Sequence, residues 1–432
     1  MSLSLNFNHT AYTADSLMFF VDMNSFFAAC EQQVNFYLRG RPVGVCVYTG
    51  KYGCVIAPSI EAKQKGVKTG MRLNEAMQLC PELVPLETNP ARYREFHIAF
   101  IGVLKKYTDE VIPKSIDEAV MNLTSSRLLY KNPVELAKKI KQDIKDKVGD
   151  WLTCSIGIAP NAFLAKLGSD LQKPDGLVII TPSNIDEVLS KLRLTDLPGI
   201  AAGMALRLEL GGIHTPLQLR HTPPDKLKRI CKSVVGLHWH YRLNFAEVDT
   251  MTRDYKSMQA MRQVSKEQRK SVEILEDILL TLCMTLEARL VKNNFFAKEF
   301  FMHVSYENGS QWADKVIHQS PLQDGTEILS IVKSRMQKFQ TAHQSGVLIN
   351  SKVTALGVGA THFVPDDLVQ YSLFEDNVRK DNLRKTVYEV KGKYGRDKIM
   401  KAIELKENDI MKDVIGFGSV KDLHIGSSVL DE

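Results

Sequence analysis

Nine residues, "WLTCSIGIA" (151–159), constrain the fold of this chain most tightly. The run is apolar almost throughout. A strand made of it has no face to give to water, so it belongs inside a sheet covered on both sides. The next segment, "PNAFLAKLGSDL" (160–171), reads as a helix closed by the turn "KPDG". The preceding one, "NPVELAKKIKQDIKDKVG" (132–149), is the clearest helix. Pro133 suits its first position, and Leu136, Ile140, Ile144 and Val148 recur at every fourth residue as one apolar stripe. The first 190 residues are therefore expected to mix strands and helices around one sheet.

Other segments fit that frame. Residues 1–15 are polar and read as a frayed extension. "SLMFFVDMN" (16–24) reads as a buried strand ending in polar residues, and "SFFAACEQ" (25–32) starts a helix capped by Asn24 or Ser25. "PVGVCVY" (42–48) and "GCVIAPS" (53–59) are short strands around the turn "TGKYG", and "IEAKQKGVKTGM" (60–71) reads as a short helix ending at a glycine. The texture then changes. Residues 191–232 hold short helical pieces with eight Lys/Arg against three Asp/Glu. A mixed linker, "EVDTMTRDYKSMQ" (247–259), follows. Beyond it lie a helix (271–291), a strand (298–307), a second helix (near 326–339) and a strand (351–363), the makings of a small α+β domain. The last stretch carries "VQYSLFED", a charged helical segment and a polar end. There are no internal repeats and no low-complexity tract.

A chain of 432 residues exceeds one ordinary core and implies two to four domains. A net charge of +6 permits nucleic-acid binding without demanding it. The seven cysteines form no CxxC pair, and several sit in apolar runs, as expected of buried thiols in a reducing cytoplasm. "SLMFFVDMNSFFAAC" has a signal-like apolar content. Asp22 and Asn24 interrupt it, however, and no basic segment precedes it. No apolar run approaches a membrane span, so a cytoplasmic protein with no membrane partner is expected.

One stretch breaks the strand pattern. In "KSIDEAVMNL" (114–123), Asp117 and Glu118 are adjacent in strand-like sequence, although successive strand side chains point to opposite faces. A bend near Ser115–Ile116 would bring both to one rim of the sheet beside Asp22, with Ala119, Met121 and Leu123 then sharing one face. Three carboxylates from two strands could hold divalent cations, and Mg²⁺ takes oxygen ligands and shares itself with phosphates. The plainer readings are a cap or turn for Asp22 and a solvated loop for the Asp-Glu pair. Composition alone leaves both open.

The motifs "FVDMNSFFAACEQ", "GCVIAPSIEAKQKGVKTGM", "SIDEAVMNL" and "LTCSIGIAPNAFLAKLGSDLQKPDGL" together resemble the Y-family (translesion) DNA polymerases, most nearly the bacterial polymerase IV and polymerase V group. The resemblance covers residues 17–200 most clearly and extends to about 375. It implies an α+β multidomain right-hand fold, a DNA-directed DNA polymerase activity, and two Mg²⁺ ions. Asp22, the backbone carbonyl of Met23, Asp117 and Glu118 match the metal-binding and catalytic set. Phe27 matches the aromatic steric gate against a ribose 2′-OH, and Lys63 and Lys166 match triphosphate contacts. Ala57, Pro58 and Ile60 are apolar where many relatives carry polar, basic or tyrosine side chains, so the resemblance implies a different grip on the triphosphate there.

It further implies a palm (16–31 and 86–190), fingers (32–85), a thumb (191–246), the linker, a little finger (260–363) and a C-terminal tail (364–432). "DLPGIAAGMALRLELGGI" (196–213) is similar to a helix-hairpin-helix that grips DNA phosphates through Gly199, Ala201 and Gly203, although the usual second glycine is Ala201 and the usual following basic residue is missing. "QYSLF" (370–374) resembles a sliding-clamp-binding peptide, with Gln370, Leu373 and Phe374 as anchors. Implied partners are primer-template DNA, deoxynucleoside triphosphates and a bacterial clamp, for a monomer with room for accessory subunits. The competing readings are an idle polymerase-like scaffold and a nucleotide cyclase.

Overall fold

The computed structural model describes residues 16–50, 53–130, 132–249, 256–343, 346–370, 377–394, 398–399 and 401–402. These fall into two units, divided between Thr252 and Arg253. The strands of the first unit are β1 (Met18–Met23), β2 (Val43–Cys46), β3 (Val55–Pro58), β4 (Val84–Glu87), β5 (Val111–Pro113), β6 (Glu118–Asn122), β7 (Cys154–Ala159) and β8 (Leu177–Ile179). They form two sheets rather than the single one expected: β5-β6-β1-β7-β8, and a small β3-β2-β4. The small sheet has its own core of Cys46, Val55, Ala62, Val67, Leu73, Ala76, Cys80 and Leu83. Its third strand, β4, is four residues long and contains Pro85, so it does not read as a strand in sequence.

The helices of this unit are α1 (Phe26–Val34), α2 (Ile60–Gln64), α3 (Leu73–Leu79), α4 (Pro90–Leu104), α5 (Pro133–Lys147), α6 (Ala162–Leu171), α7 (Ile185–Ser190), α8 (Ala202–Leu210), α9 (Pro216–His221), α10 (Pro224–Cys231) and α11 (Val235–Leu243). Asn132 caps α5 with its side chain, and Pro133 takes the first helical position. Helix α2 stops at Gln64, short of the expected 60–71, and Gly66 follows at φ +90. That left-handed residue ends the helix because glycine alone adopts it without strain.

The large sheet is covered on both faces, which explains its apolar strands. Phe19, Val21 and Met23 of β1, Ala119 and Met121 of β6, and Ile156 and Ile158 of β7 share one core with Phe100, Leu104, Ile140 and Ile144. Met18, Phe20 and Val120 enter the other core, with Leu164 and Leu167 of α6 and the helical residues Leu208, Leu227 and Trp239. Strand alternation past Glu118 thus runs as read. Helix α6 lies directly on β7, because two glycines face each other. A Cβ on Gly157 would sit 1.9 Å from the Ala165 carbonyl oxygen, and one on Gly168 would sit 3.2 Å from Gly157 Cα. This close approach fixes α6 over the sheet.

The second unit is an antiparallel sheet, β11-β10-β12-β9, of β9 (Met258–Gln263), β10 (Phe295–Tyr306), β11 (Gln311–Leu322) and β12 (Val353–Pro365). Helices α12 (Val272–Lys292) and α13 (Gly325–His343) supply Ile278, Leu282, Leu286, Ile328 and Val332 to its core. Strand β11 lies at the sheet edge, with Trp312 buried and Lys315 and Ile317 exposed. Strand β9 begins inside the segment read as linker. Helix α14 (Asn377–Tyr394) belongs to the same unit. Arg384 donates to Asp381, Gln323 and Asp324, and Lys401 pairs with Asp324 and Glu287.

Candidate active site

The site forms where β1 and β6 meet. Their register places Asp22 directly opposite Glu118. Asp22 has the same parity as Phe20, and Glu118 the same as Val120, so both side chains emerge on the α6 face. Two carboxylates opposite each other are unfavourable. Helix α6 supplies the answering charge. Lys166 Nζ donates to Asp22 Oδ2 at 2.7 Å and to Glu118 Oε1, and Lys173, past the end of the helix, donates to Asp22 Oδ2 at 2.8 Å. Asp170 holds both lysines from behind, at 3.2 and 2.9 Å.

Asp117 occupies the turn between β5 and β6. The Met23 N–H donates to the Asp117 carbonyl at 2.9 Å, and the Ser115 hydroxyl donates to the Asp117 carboxylate. His97 of α4 is buried, with Nδ1 2.7 Å from the Ile116 carbonyl oxygen, so the turn is pinned on two sides.

The electrostatics separate the three acids. Burial works to raise the Asp22 carboxyl, but Lys166 and Lys173 outweigh it and hold the group below the ordinary carboxylate range. Burial pushes Asp117 up, and the Asp22 charge adds to this against the Ser115 hydrogen bond. Glu118 is raised to about 7, first by burial and then by Asp22, in spite of Lys166. Lys166 is itself raised, because Asp22 and Glu118 outweigh its burial. Lys63 on α2 is lowered, first by burial and then by the Lys173 charge, while Asp22 and Asp117 pull the other way. All six groups therefore share one electrostatic site.

Phe27 lies in the first turn of α1 and is nearly buried, its ring stacked on Tyr93 of α4 at 4.4 Å between centroids. Ala57 packs partly buried against the core, Pro58 is buried and Ile60 is half-buried. Gly199 has φ +84, Ala201 precedes the first residue of α8, and a Cβ on Gly203 would meet open space. Gln370 is exposed, whereas Leu373 and Phe374 lie outside the described residues. Sequence reasoning missed Lys173, His97 and Tyr93. Lys173 lies beyond α6 in the turn "KPDG", where a lysine reads as a solvated charge and carries no signal of its own.

Among the described residues, no three Asp, Glu, His or Cys side chains already form a metal-holding group. The ammonium of Lys166 stands between two of the acids as a cation in that place. The donor set nonetheless fits a hard divalent ion. It consists of carboxylate oxygens, and two of the three acids, Asp117 and Glu118, are raised by burial first and by the Asp22 charge as well, a cost that a bound cation would offset.

Residues 21–170 match the impB/mucB/samB family, and residues 255–373 match that family's C-terminal domain. DNA polymerase IV 1 of Bacillus subtilis is 30% identical over 406 residues, covering 91% of this chain and 94% of that protein. The chain belongs to the Y-family DNA polymerases. DNA polymerase IV of Alkaliphilus oremlandii is 29% identical over 89% of this chain and 98% of its own length. A Y-family chimaera of Dbh and Dpo4 shares the fold at a TM-score of 0.68 and 25% identity, covering 81% of this chain and 99% of the other. The polymerase is thus a DNA-directed DNA polymerase of the translesion type, acting on DNA and deoxynucleotides, in a family of metal-dependent enzymes. No helix among the described residues is long and apolar enough to cross a membrane.

Proposed function

We propose that the polymerase extends a primer 3′ end by phosphoryl transfer at the β1–β6 rim, with low fidelity and in the service of damage tolerance. The observation that carries this reading is the cross-strand pair Asp22–Glu118, with Asp117 in the adjoining turn and Lys166 answering their charge. Asp22, the Met23 carbonyl, Asp117 and Glu118 would hold two Mg²⁺ ions. The chemistry such a pair supplies is activation of the primer hydroxyl and neutralisation of the transferred phosphoryl group.

The chain's own groups do the rest. Lys63 and Lys166 offer cationic contacts to the triphosphate, and Lys173 joins them from the turn after α6. Asp170, bonded to both Lys166 and Lys173, keeps them at the site. Phe27 excludes a ribose 2′-OH by bulk, with its buried ring backed by Tyr93. The apolar Ala57, Pro58 and Ile60 leave the phosphates to these lysines. We assign the palm to the five-stranded sheet, the fingers to the three-stranded sheet, the thumb to the helices after residue 190, and the little finger to the second unit.

The turn at Gly199, with Ala201 and Gly203, offers backbone N–H groups to a DNA phosphate. The excess of Lys and Arg in 191–232 supports a salt-sensitive backbone grip. Gln370, Leu373 and Phe374 form the peptide that would engage a bacterial sliding clamp. Seven unpaired cysteines support residence in the cytoplasm.

Primer extension on undamaged and lesion-bearing templates, with Mg²⁺ and an Asp117→Ala control, tests the reading. Templated extension by the wild type and none by the variant is expected. Equal inertness of both, across metals and with clamp, would favour a scaffold.

A further inference from the structure

The Phe27 ring is not held by α1 alone. Its flat face stacks on Tyr93 with centroids 4.4 Å apart and planes 15° apart. Tyr93 is fully buried, and its hydroxyl donates to Glu31 Oε1 at 2.9 Å. Glu31 lies one helical turn after Phe27 on α1, and its other oxygen pairs with Arg92, the neighbour of Tyr93 on α4. The circuit is closed: α1 presents Phe27, α4 backs it with Tyr93, and α1 reaches back through Glu31 to fix Tyr93. Glu31 is itself buried. A buried carboxylate is costly unless paired and hydrogen-bonded, and here Arg92 and the Tyr93 hydroxyl do both. Phe26, tilted against Phe27 at 5.9 Å, closes a third side.

We propose that Tyr93 and Glu31 are positioning residues for sugar selection: they set how far the Phe27 ring can yield to a 2′-hydroxyl. The inference rests on the reading of Phe27 as the steric gate. A gate discriminates only as strongly as it resists displacement. A phenylalanine on a lone helix turn can rotate or tilt away, whereas one stacked on an anchored ring must break that stack to move. Such a ring pair corresponds to a factor of about two to ten in an equilibrium. Selectivity between deoxy- and ribonucleotides should therefore depend on a residue that touches neither.

The test is single-nucleotide insertion on a primer-template by the full chain, read as the ratio of kcat/KM for a deoxynucleotide to that for its ribonucleotide. Tyr93→Leu removes the stack while keeping an apolar side chain, and is expected to lower the ratio about tenfold, chiefly through faster ribonucleotide insertion. Tyr93→Phe keeps the ring, loses the hydroxyl, and should lower it about two- to threefold. Glu31→Gln keeps an oxygen acceptor for Tyr93 and should restore most of the selectivity that Glu31→Ala loses. In the double variant Phe27→Ala/Tyr93→Leu, the effects should not add, because the second acts through the first.

If Tyr93→Leu depresses both nucleotides equally, or fails to fold while Tyr93→Phe leaves the ratio unchanged, the inference is overturned and Tyr93 is packing alone. If Phe27→Ala itself leaves the ratio unchanged, the steric-gate reading falls, and this inference with it. A relaxed ratio for Phe27→Ala beside an unchanged one for Tyr93→Leu overturns the inference alone.

Discussion

Gly157→Ala should damage the active site from behind, without touching it. Gly157 lies in β7 under α6, and an added Cβ would meet the Ala165 carbonyl oxygen at 1.9 Å and the Ser169 nitrogen at 2.5 Å. To restore an ordinary contact of about 3.4 Å from 1.9 Å, α6 must retreat by about 1.5 Å. It cannot tilt freely, because Leu164 and Leu167 are wholly buried. Overpacking of this kind costs about 1–3 kcal/mol. The retreat carries Lys166 away from Asp22 and Glu118, and a misplacement of about 1 Å costs about 100-fold in rate. Urea unfolding and single-nucleotide insertion should register both losses. Gly102→Ala is the control. That glycine is exposed on α4 with nothing near its Cβ, so the variant should gain up to about 1 kcal/mol and insert nucleotides normally. Wild-type stability and rate in Gly157→Ala would refute the packing argument. Lost stability with a wild-type rate would refute the claim that α6 positions Lys166.

Other expectations follow from single contacts. Replacing Leu373 and Phe374 with Ala should abolish clamp stimulation yet spare synthesis on a short naked primer; equal clamp retention in a pull-down would count against the peptide. His97→Phe removes the bond to the Ile116 carbonyl and should slow insertion several-fold by loosening the turn that carries Asp117, with stability measured alongside. Asp324 is held below the ordinary carboxylate range, because the Thr326 hydroxyl, Lys401 and Arg384 outweigh its burial. Its stabilisation is therefore fully present above the unfolded value near 4 and is lost as pH falls through and below it. Denaturant midpoints taken from about pH 6 down to about pH 2.5 should show the wild-type advantage over Asp324→Asn constant above about pH 4 and shrinking progressively below it. A gap that stays constant throughout would contradict the assignment.

Much of this was legible in the sequence, for physical reasons that differ by element. The strands around Asp22 and Cys154 announced themselves because a sheet covered on both faces tolerates no polar alternation. The meeting of Asp22 with Glu118 followed from strand alternation once the bend before Asp117 was granted. Edge elements were harder to see. Alternate residues of strand β11, among them Lys315 and Ile317, face water, so the strand carries little apolar signal. Strand β4 is short and only half-buried. The supporting residues were invisible for another reason. Tyr93 and His97 act through partners far along the chain, Phe27 and Ile116, and one turn of α4 carries no mark that distinguishes them from core.

The central claim is that Asp22, Asp117 and Glu118 jointly hold the ions that make this chain a polymerase. Its most direct measurement is the single-turnover rate of primer extension as Mg²⁺ is titrated, comparing wild type with the near-isosteric Asp117→Asn. The account predicts saturable, Mg²⁺-dependent extension for the wild type and none for the variant at any Mg²⁺ concentration, with unchanged unfolding. Extension by Asp117→Asn at the wild-type rate would contradict it.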